Sequence, residues 1–537
     1  MKKLILSIAT LIMPLIASAD AVEIDGIYYN LISKGNIAEV TSNPQKYKGT
    51  ISIPETVTYN EEVYPVTSIG NRAFYDCSSL DSVFIPNSIT NIGDNAFTSC
   101  TSLGTVKMPE NMITIGVSAF YGCSALDSID IPNSVTALEK QAFTACRNLR
   151  TITLGNGITS IKESTFSECQ RLDSLIIPNS VTSIAAHAFY SCANLVSVKI
   201  PEGVTSIGFR AFYNCRLLSD ITLPASLTSI GYETFRYCES LESIDIPNGI
   251  TTIEKLTFAG CSGLVSVTIP NSVKSIGNSA FGGCKSLNSI YIPNSVTSVA
   301  NSAFMTCSSL SSVTIGNGLS SITDEMFCNC ANLRSVTIGT KVNYIGQKAF
   351  ASCPELTDIY CYPQNAPTAG TDTFKDSYIQ FITLHVPESS VTAYQEASPW
   401  KNFKEIVALD EMPQTNKCAT PTIAYANGEL YFSCATEGAS CIGMITTDDV
   451  RTVKSGHIKL TQTYTISVYA TAEGYDDSDV ATATITWHNG QPVMEGFSSI
   501  ELEQDESKGD VNGDGVIDVS DYIGLANLIL FGSIDGK

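Results

Sequence analysis

A 23-residue period constrains this chain more than any other feature. A Phe followed three residues later by a Cys recurs at that step thirteen times, from Phe74/Cys77 to Phe350/Cys353, without an insertion. A fixed period of this size marks units stacked in one direction rather than a closed globule. Residues 269–291 give one unit: I-P-N-S-V-K-S-I-G-N-S-A-F-G-G-C-K-S-L-N-S-I-Y.

Spacing within the unit dictates its parts. Each copy carries L-x-x-V-x-I-P, as in Leu80, Val83, Ile85 and Pro86. Residues two apart on a strand share a face, so Val83 and Ile85 point inward and Phe84 points the other way. Pro86 has no N–H to give to a ladder and ends the strand. Gly155, Gly316 and Gly339 replace it in three copies. The remaining half, V-T-S-I-x-x-x-A-F-x-x-C, is too short for a full helix and has to turn back. One unit cannot bury its own Ile, Val, Leu and Phe; stacking does so. Copies repeating at about 4.8 Å make a parallel ladder.

Variation among the copies separates scaffold from surface. The Phe and Cys columns never change, so they are core. The position after the second Ile reads Gly70, Gly93 and Gly116 but then Glu139, Lys162 and Ala185, so no positive φ is required there. The outward strand column varies freely in charge and size. Its candidate contact residues are Phe84, Lys107, Asp130, Ile176, Lys199, Asp245, Tyr291 and Tyr360. The chain has 18 cysteines. Thirteen stack side by side, and parallel side chains do not aim at each other, so free, packed thiols are expected. Cys418, Cys434 and Cys441 allow at most one bridge, with Cys434–Cys441 the candidate.

The L-x-x-I-x-I-P…I-G-x-x-A-F-x-x-C signature, over roughly residues 51–361, resembles the leucine-rich repeats of BspA-like bacterial surface proteins. The resemblance implies a leucine-rich-repeat solenoid and a role as an adhesin or interaction protein that binds host matrix proteins or other cells.

The flanks read differently. Met1-Lys2-Lys3, an apolar run from Leu4 to Ile16 and Ala17-Ser18-Ala19 form a secretory signal, residues 1–19. Residues 20–68 form an N-terminal cap, with a hairpin over Val22–Leu31 turning at Asp25-Gly26 and an insertion from Tyr59 to Pro65. The solenoid spans 69–361 and a C-terminal cap spans 362–411. Residues 412–489 read as a small β-sandwich, with strands at Thr422–Ala426, Glu429–Cys434, Tyr464–Thr471 and Ala481–Trp487. The run Tyr464–Ile485 is similar to the Ig-like modules of bacterial surface proteins and glycosidases, which serve as spacers. Residues 490–508 are an acidic linker.

Residues 509–537 carry the metal chemistry. Asp510, Asn512, Asp514, Asp518 and Asp521 stand at positions 1, 3, 5, 9 and 12 of a calcium loop. Gly515 stands at the sharp turn, and Val516 offers its carbonyl. Ca2+ takes six to eight hard oxygens, and this loop supplies them. Asp at the last position looks like a dockerin loop. A helical pattern over Val519–Phe531 follows, and its apolar face needs a partner: the sandwich, another copy of the chain, or a cohesin-like or surface receptor. The second half of a dockerin is absent.

Formal charge of −22 argues against nucleic acid and anionic membrane surfaces. No stretch beyond the signal is long enough for a transmembrane segment. The four histidines, His187, His385, His457 and His488, have no companion motif, and His187 is expected in solvent. Cys328-Asn329-Cys330 reads as incidental rather than as a zinc site. No G-x-S-x-G, H-E-x-x-H or Walker loop occurs.

The fold expected is a repeat solenoid with a parallel β ladder, followed by a small β-sandwich and a calcium loop–helix. The function expected is that of a non-enzymatic adhesin, secreted or at the cell surface, binding an extracellular protein or glycan through the ladder. The alternative is a non-catalytic subunit of a calcium-dependent, dockerin-type, polysaccharide-degrading assembly.

Overall fold

The computed structural model describes residues 21–409, 419–426, 429–436, 440–454, 457–471, 481–488 and 491–495. The chain divides into two units, Met1–Leu409 and Asp410–Lys537. The signal segment, most of the acidic linker, the calcium loop with Asp510, Asn512, Asp514, Val516, Asp518 and Asp521, and the helical pattern after it lie outside the described residues.

The first unit is a right-through stack of coils. Each coil has a longer strand, such as Ser174–Ile176, and a two-residue strand, such as Ser183–Ile184. Both pair in parallel with the next coil at a step of 23: Ser174 faces Ser197, and Ser183 faces Ser206. Equal unit length fixes this register, because a slip of one residue would turn the apolar set outward.

Between the Phe and its neighbours the chain is neither helix nor strand, yet it too forms a ladder. In one coil the N–H groups of Arg72, Phe74 and Asp76 donate to the carbonyls of Asp94, Ala96 and Thr98 in the next, at 2.9, 2.7 and 2.8 Å. Alternation makes this possible. Arg72 (φ 58°) and Asp76 (φ 59°) are left-handed, and the same two positions are left-handed in every later coil. Mostly non-glycine residues occupy them, at a local cost that the inter-coil bonds offset. Gly70, Gly93 and Gly116 have no positive φ, as the variation in their column requires.

Two columns, of Phe and of Cys, run through a core that the buried Leu, Val and Ile complete. Rings from Phe74 to Phe350 stack with centroids 4.8–6.0 Å apart and planes within 17°. A fully buried Phe contributes roughly 1.5–3 kcal/mol by the area it removes from water. Beside the rings run the cysteines, all free and buried. Their thiols are not merely packed. From Cys100 onward each Sγ–H donates to the Phe carbonyl one coil back, at 3.0–3.3 Å.

Both ends are closed. Val22–Ile24, Ile27–Ile32 and Ile37–Val40 form an antiparallel meander with Asp25 and Gly26 in the first turn. Its last strand then pairs in parallel with Glu62–Ile69, and Tyr47 extends the ring column, 4.7 Å from Phe74. The insertion is a hairpin of Thr56–Tyr59 against Glu62–Ile69. At the other end the coils run on past Cys361. Phe374 stacks on Phe350 at 5.7 Å, and Ser377 takes the cysteine's place, its Oγ donating to the Phe350 carbonyl at 2.5 Å. Thr383–Pro387 and Glu405–Leu409 add two parallel strands. Tyr394 and Trp400 then cover the apolar end, with the ring N–H of Trp400 donating to the Pro367 carbonyl.

The second unit holds a hairpin, Thr422–Ala426 with Glu429–Ser433, and a four-stranded antiparallel sheet of Ser440–Lys454, His457–Thr471, Ala481–His488 and Gln491–Glu495. Strand Ser440–Lys454 is a further finding: its Thr-Thr-Asp-Asp-Val centre does not read as a strand. The expected Cys434–Cys441 bridge does not form. Cys434 is free, and its thiol turns to the Ala419 carbonyl at 3.1 Å.

Candidate functional site

The outward strand column is a surface that the core does not use. Alternation on the strand buries Val83 and Leu175 and leaves Phe84 54% and Ile176 73% exposed. Lys107, Asp130, Lys199 and Asp245 are exposed too, and Tyr291 and Tyr360 are half-buried.

Register decides which of these meet. Phe84 faces Lys107, and Ile176 faces Lys199. Asp130, Asp245 and Tyr291 each face a threonine: Thr153, Thr268 and Thr314. Tyr360 lies between Thr337 and His385, its ring stacked 4.4 Å from the imidazole. His385 Nε2 also contacts Asp358 Oδ1 at 2.9 Å. A hollow of about 400 Å³ opens beside Ile176 and Lys199, edged by Glu202, Asp220 and Thr222. An apolar side chain, an ammonium and two carboxylates thus share one concavity.

A second surface lies on the loop side, flanking the Phe. Here four consecutive coils bring aromatic and charged residues together. Tyr190 stacks on Tyr213 at 4.9 Å, and Phe209 on Tyr232 at 4.9 Å. The Arg210 guanidinium lies 5.5 Å from the Tyr213 ring, that of Arg236 4.8 Å from the Tyr237 ring, and the Lys255 ammonium 4.7 Å from the Tyr232 ring. Glu233 sits at the centre, 5% exposed, accepting hydrogen bonds from Arg210 at 3.1 Å and Arg236 at 3.1 Å.

Residues 67–196, 159–288 and 274–397 match the family described as BspA type leucine rich repeat region (6 copies). The chain belongs to the BspA type leucine rich repeat family. Among solved structures it is similar to a leucine-rich repeat protein from Bacteroides ovatus, 27% identical, covering 63% of this chain and 94% of that one, TM-score 0.46. It is similar to a leucine rich cell surface protein from Faecalibacterium prausnitzii, 26% identical, covering 73% and 95%, TM-score 0.41. It is also similar to the pneumococcal vaccine antigen PcpA, 18% identical, covering 73% and 98%, TM-score 0.44. No curated protein matches the chain.

The BspA type coil sets the electrostatics of both faces. Four of its core thiols are held protonated: burial pushes Cys146, Cys192, Cys261 and Cys307 up to about 12, out of the range where a thiolate forms at neutral pH, whereas at the first coil the contact with Cys100 lowers Cys77 to about 7. On the loop face, burial raises the Glu233 carboxyl, but hydrogen bonds from Arg210 and Arg236 outweigh it and hold the group below its usual range. His187 is half-buried rather than in solvent. It meets Tyr190 and Phe209 edge-on, because its left-handed backbone turns the ring into that cluster. Burial, then the charge of Arg210, lowers its pKa and keeps it neutral at pH 7.

Sequence reasoning missed this loop-face cluster. Its signal was present in the columns flanking the Phe, where Tyr190/Tyr213 and Phe209/Tyr232 recur one period apart. Among the described residues, no group of three His, Cys, Asp or Glu is placed to hold a metal, and no helix is long and apolar enough to cross a membrane.

Proposed function

We propose that this chain is an exported, non-enzymatic adhesin whose outward strand column binds a protein or glycan of host matrix or of another cell surface. One observation carries the reading: Ile176 is 73% exposed in register with Lys199, on a ladder whose stability does not need either side chain. Large apolar residues held rigidly in solvent beside charges are what interfaces use as anchors. Leucine-rich repeats as a family favour protein ligands. The second unit then serves as a spacer of Ig-like kind. Ca2+ held by Asp510, Asn512, Asp514, Val516, Asp518 and Asp521 orders the C-terminal segment for attachment to a receptor.

The test is an array of extracellular matrix proteins and host glycans probed with the full chain and with a Phe84→Ser/Ile176→Ser/Lys199→Glu variant. The expected result is a ligand retained by the wild type and weakened at least tenfold in the variant. Equal binding of every ligand by both proteins contradicts the reading. Repeating the assay with a calcium chelator reads the C-terminal contribution separately.

A further inference from the structure

The loop face carries a concavity of its own, lined by none of the strand-column residues. Next to the aromatic and cationic cluster the surface drops into a notch of about 580 Å³. Arg236 and Tyr237 wall it on one side and Met305 and Thr306 on the other, with Gly260 and Gly283 in its floor.

The fold does not demand these glycines. Gly260 (φ 74°) and Gly283 (φ 76°) occupy the position two residues after the Phe, where Asn214, Thr306 and Asn329 adopt the same left-handed conformation at 60–63°. Their role is spatial. A Cβ on Gly260 would strike the Tyr237 ring at 2.5 Å, so this glycine lets the tyrosine lie flat along the wall. A Cβ on Gly283 would meet nothing closer than 3.7 Å, so here the side chain is left out of a place that has room for one. Gly283 takes the left-handed φ without the strain that a side chain meets there, and it leaves the space above it open.

Charge selects the occupant. Arg210 and Arg236 share the single carboxylate of Glu233, and Arg216 answers Glu239 across the rim. Lys285 lines the notch, exposed and with no ion pair among the described residues. In a chain of net charge −22 this is a local excess of cations. Guanidinium groups lie over the Tyr213 and Tyr237 rings, and Tyr237, 36% exposed, is the tyrosine that lines the notch. What remains is an open notch, rigid tyrosine edges and two cations, and Tyr and Arg are the residues enriched where proteins meet.

We propose that this notch binds an extended acidic segment of a partner protein, with one apolar side chain over Gly283 and flanking carboxylates at Arg236 and Lys285. The probe is a fluorescent ten-residue peptide of Asp and Glu with a central Leu. A Lys-substituted counterpart and a heparin oligosaccharide serve as comparisons, and binding to the full chain is read by anisotropy. The acidic peptide is expected to bind, the basic one not to. Gly283→Asn, a residue this column already tolerates, and Lys285→Glu, which leaves the fold untouched, are each expected to weaken binding at least fivefold. Lys199→Glu on the strand face is expected to leave it unchanged, so failure here and failure of the strand-column reading are told apart. No binding of the acidic peptide, equal binding by the Gly283→Asn and Lys285→Glu variants, or heparin binding in place of the peptide overturns the proposal.

Discussion

The thiol of Cys100 donates to the carbonyl oxygen of Phe74, one coil back, at 3.0 Å, while the same carbonyl accepts the N–H of Cys77 at 3.1 Å. Both lone pairs of a buried carbonyl are thereby met, which explains why a small hydrophobe other than Cys does not appear in the column. The last coil repeats the bond with a hydroxyl, Ser377 to Phe350. Cys192→Ser is therefore expected to stay within about 1 kcal/mol of wild type. Cys192→Ala is expected to lose about 1–3 kcal/mol by leaving an acceptor unmet and a small void. Urea unfolding of both variants checks the order.

Thiols deep in the column should be silent. With burial raising column cysteines to about 12, iodoacetamide at pH 8 is expected to leave Cys146, Cys192, Cys261 and Cys307 unmodified in the folded chain and to modify them in denaturant. Peptide mass spectrometry reads this site by site. Fast labelling of any of the four without denaturant contradicts the buried column.

A single ring matters through both neighbours. Phe212 stacks on Phe189 at 5.1 Å and on Phe235 at 5.6 Å. Phe212→Ala is expected to cost about 3–5 kcal/mol. Because stacked repeats hold only their neighbours, hydrogen exchange should quicken most in the coils around residue 212 and little in the end caps.

Acid should act on the loop face. His187 has a lowered pKa in the fold, so as pH falls through 6.5 the unfolded chain takes the proton first. The stability of the neutral ring is full above that value and is lost below it. The difference in unfolding free energy between pH 7 and pH 5 is expected to be smaller in His187→Gln than in wild type. An identical pH dependence contradicts the placement of the ring.

Glu233 makes the matching case at its centre. Glu233→Gln removes the charge shared by Arg210 and Arg236, and a loss of about 1–2 kcal/mol is expected, the lower part of the range for a buried partner because both arginines reach solvent. The loss should fade as pH falls below the ordinary carboxylate range, where wild-type Glu233 itself protonates.

Much of this was legible because a period repeats its own evidence. Phe74, Cys77, Val83 and Ile85 announced themselves as core by recurring, and Phe84 as surface by failing to. The coil at Phe374 was not legible, since it comes 24 residues after Phe350 and ends in Ser377. Left-handed residues such as Arg72 and Asp76 gave no sign, because inter-coil hydrogen bonds rather than glycine hold them there. The cluster around Glu233 was hidden for another reason: a buried charge in a variable column looks like a surface charge until Arg210 of the preceding coil and Arg236 of its own coil close over it.

Hydrogen–deuterium exchange of the full chain with and without a ligand taken from the array tests the central claim most directly, because it locates the bound surface coil by coil. Protection is predicted in peptides covering Ser82–Phe84, Ser174–Ile176 and Ser197–Lys199. Protection confined to the Asp410–Lys537 unit, with none on these strands, would contradict a recognition surface built on the ladder.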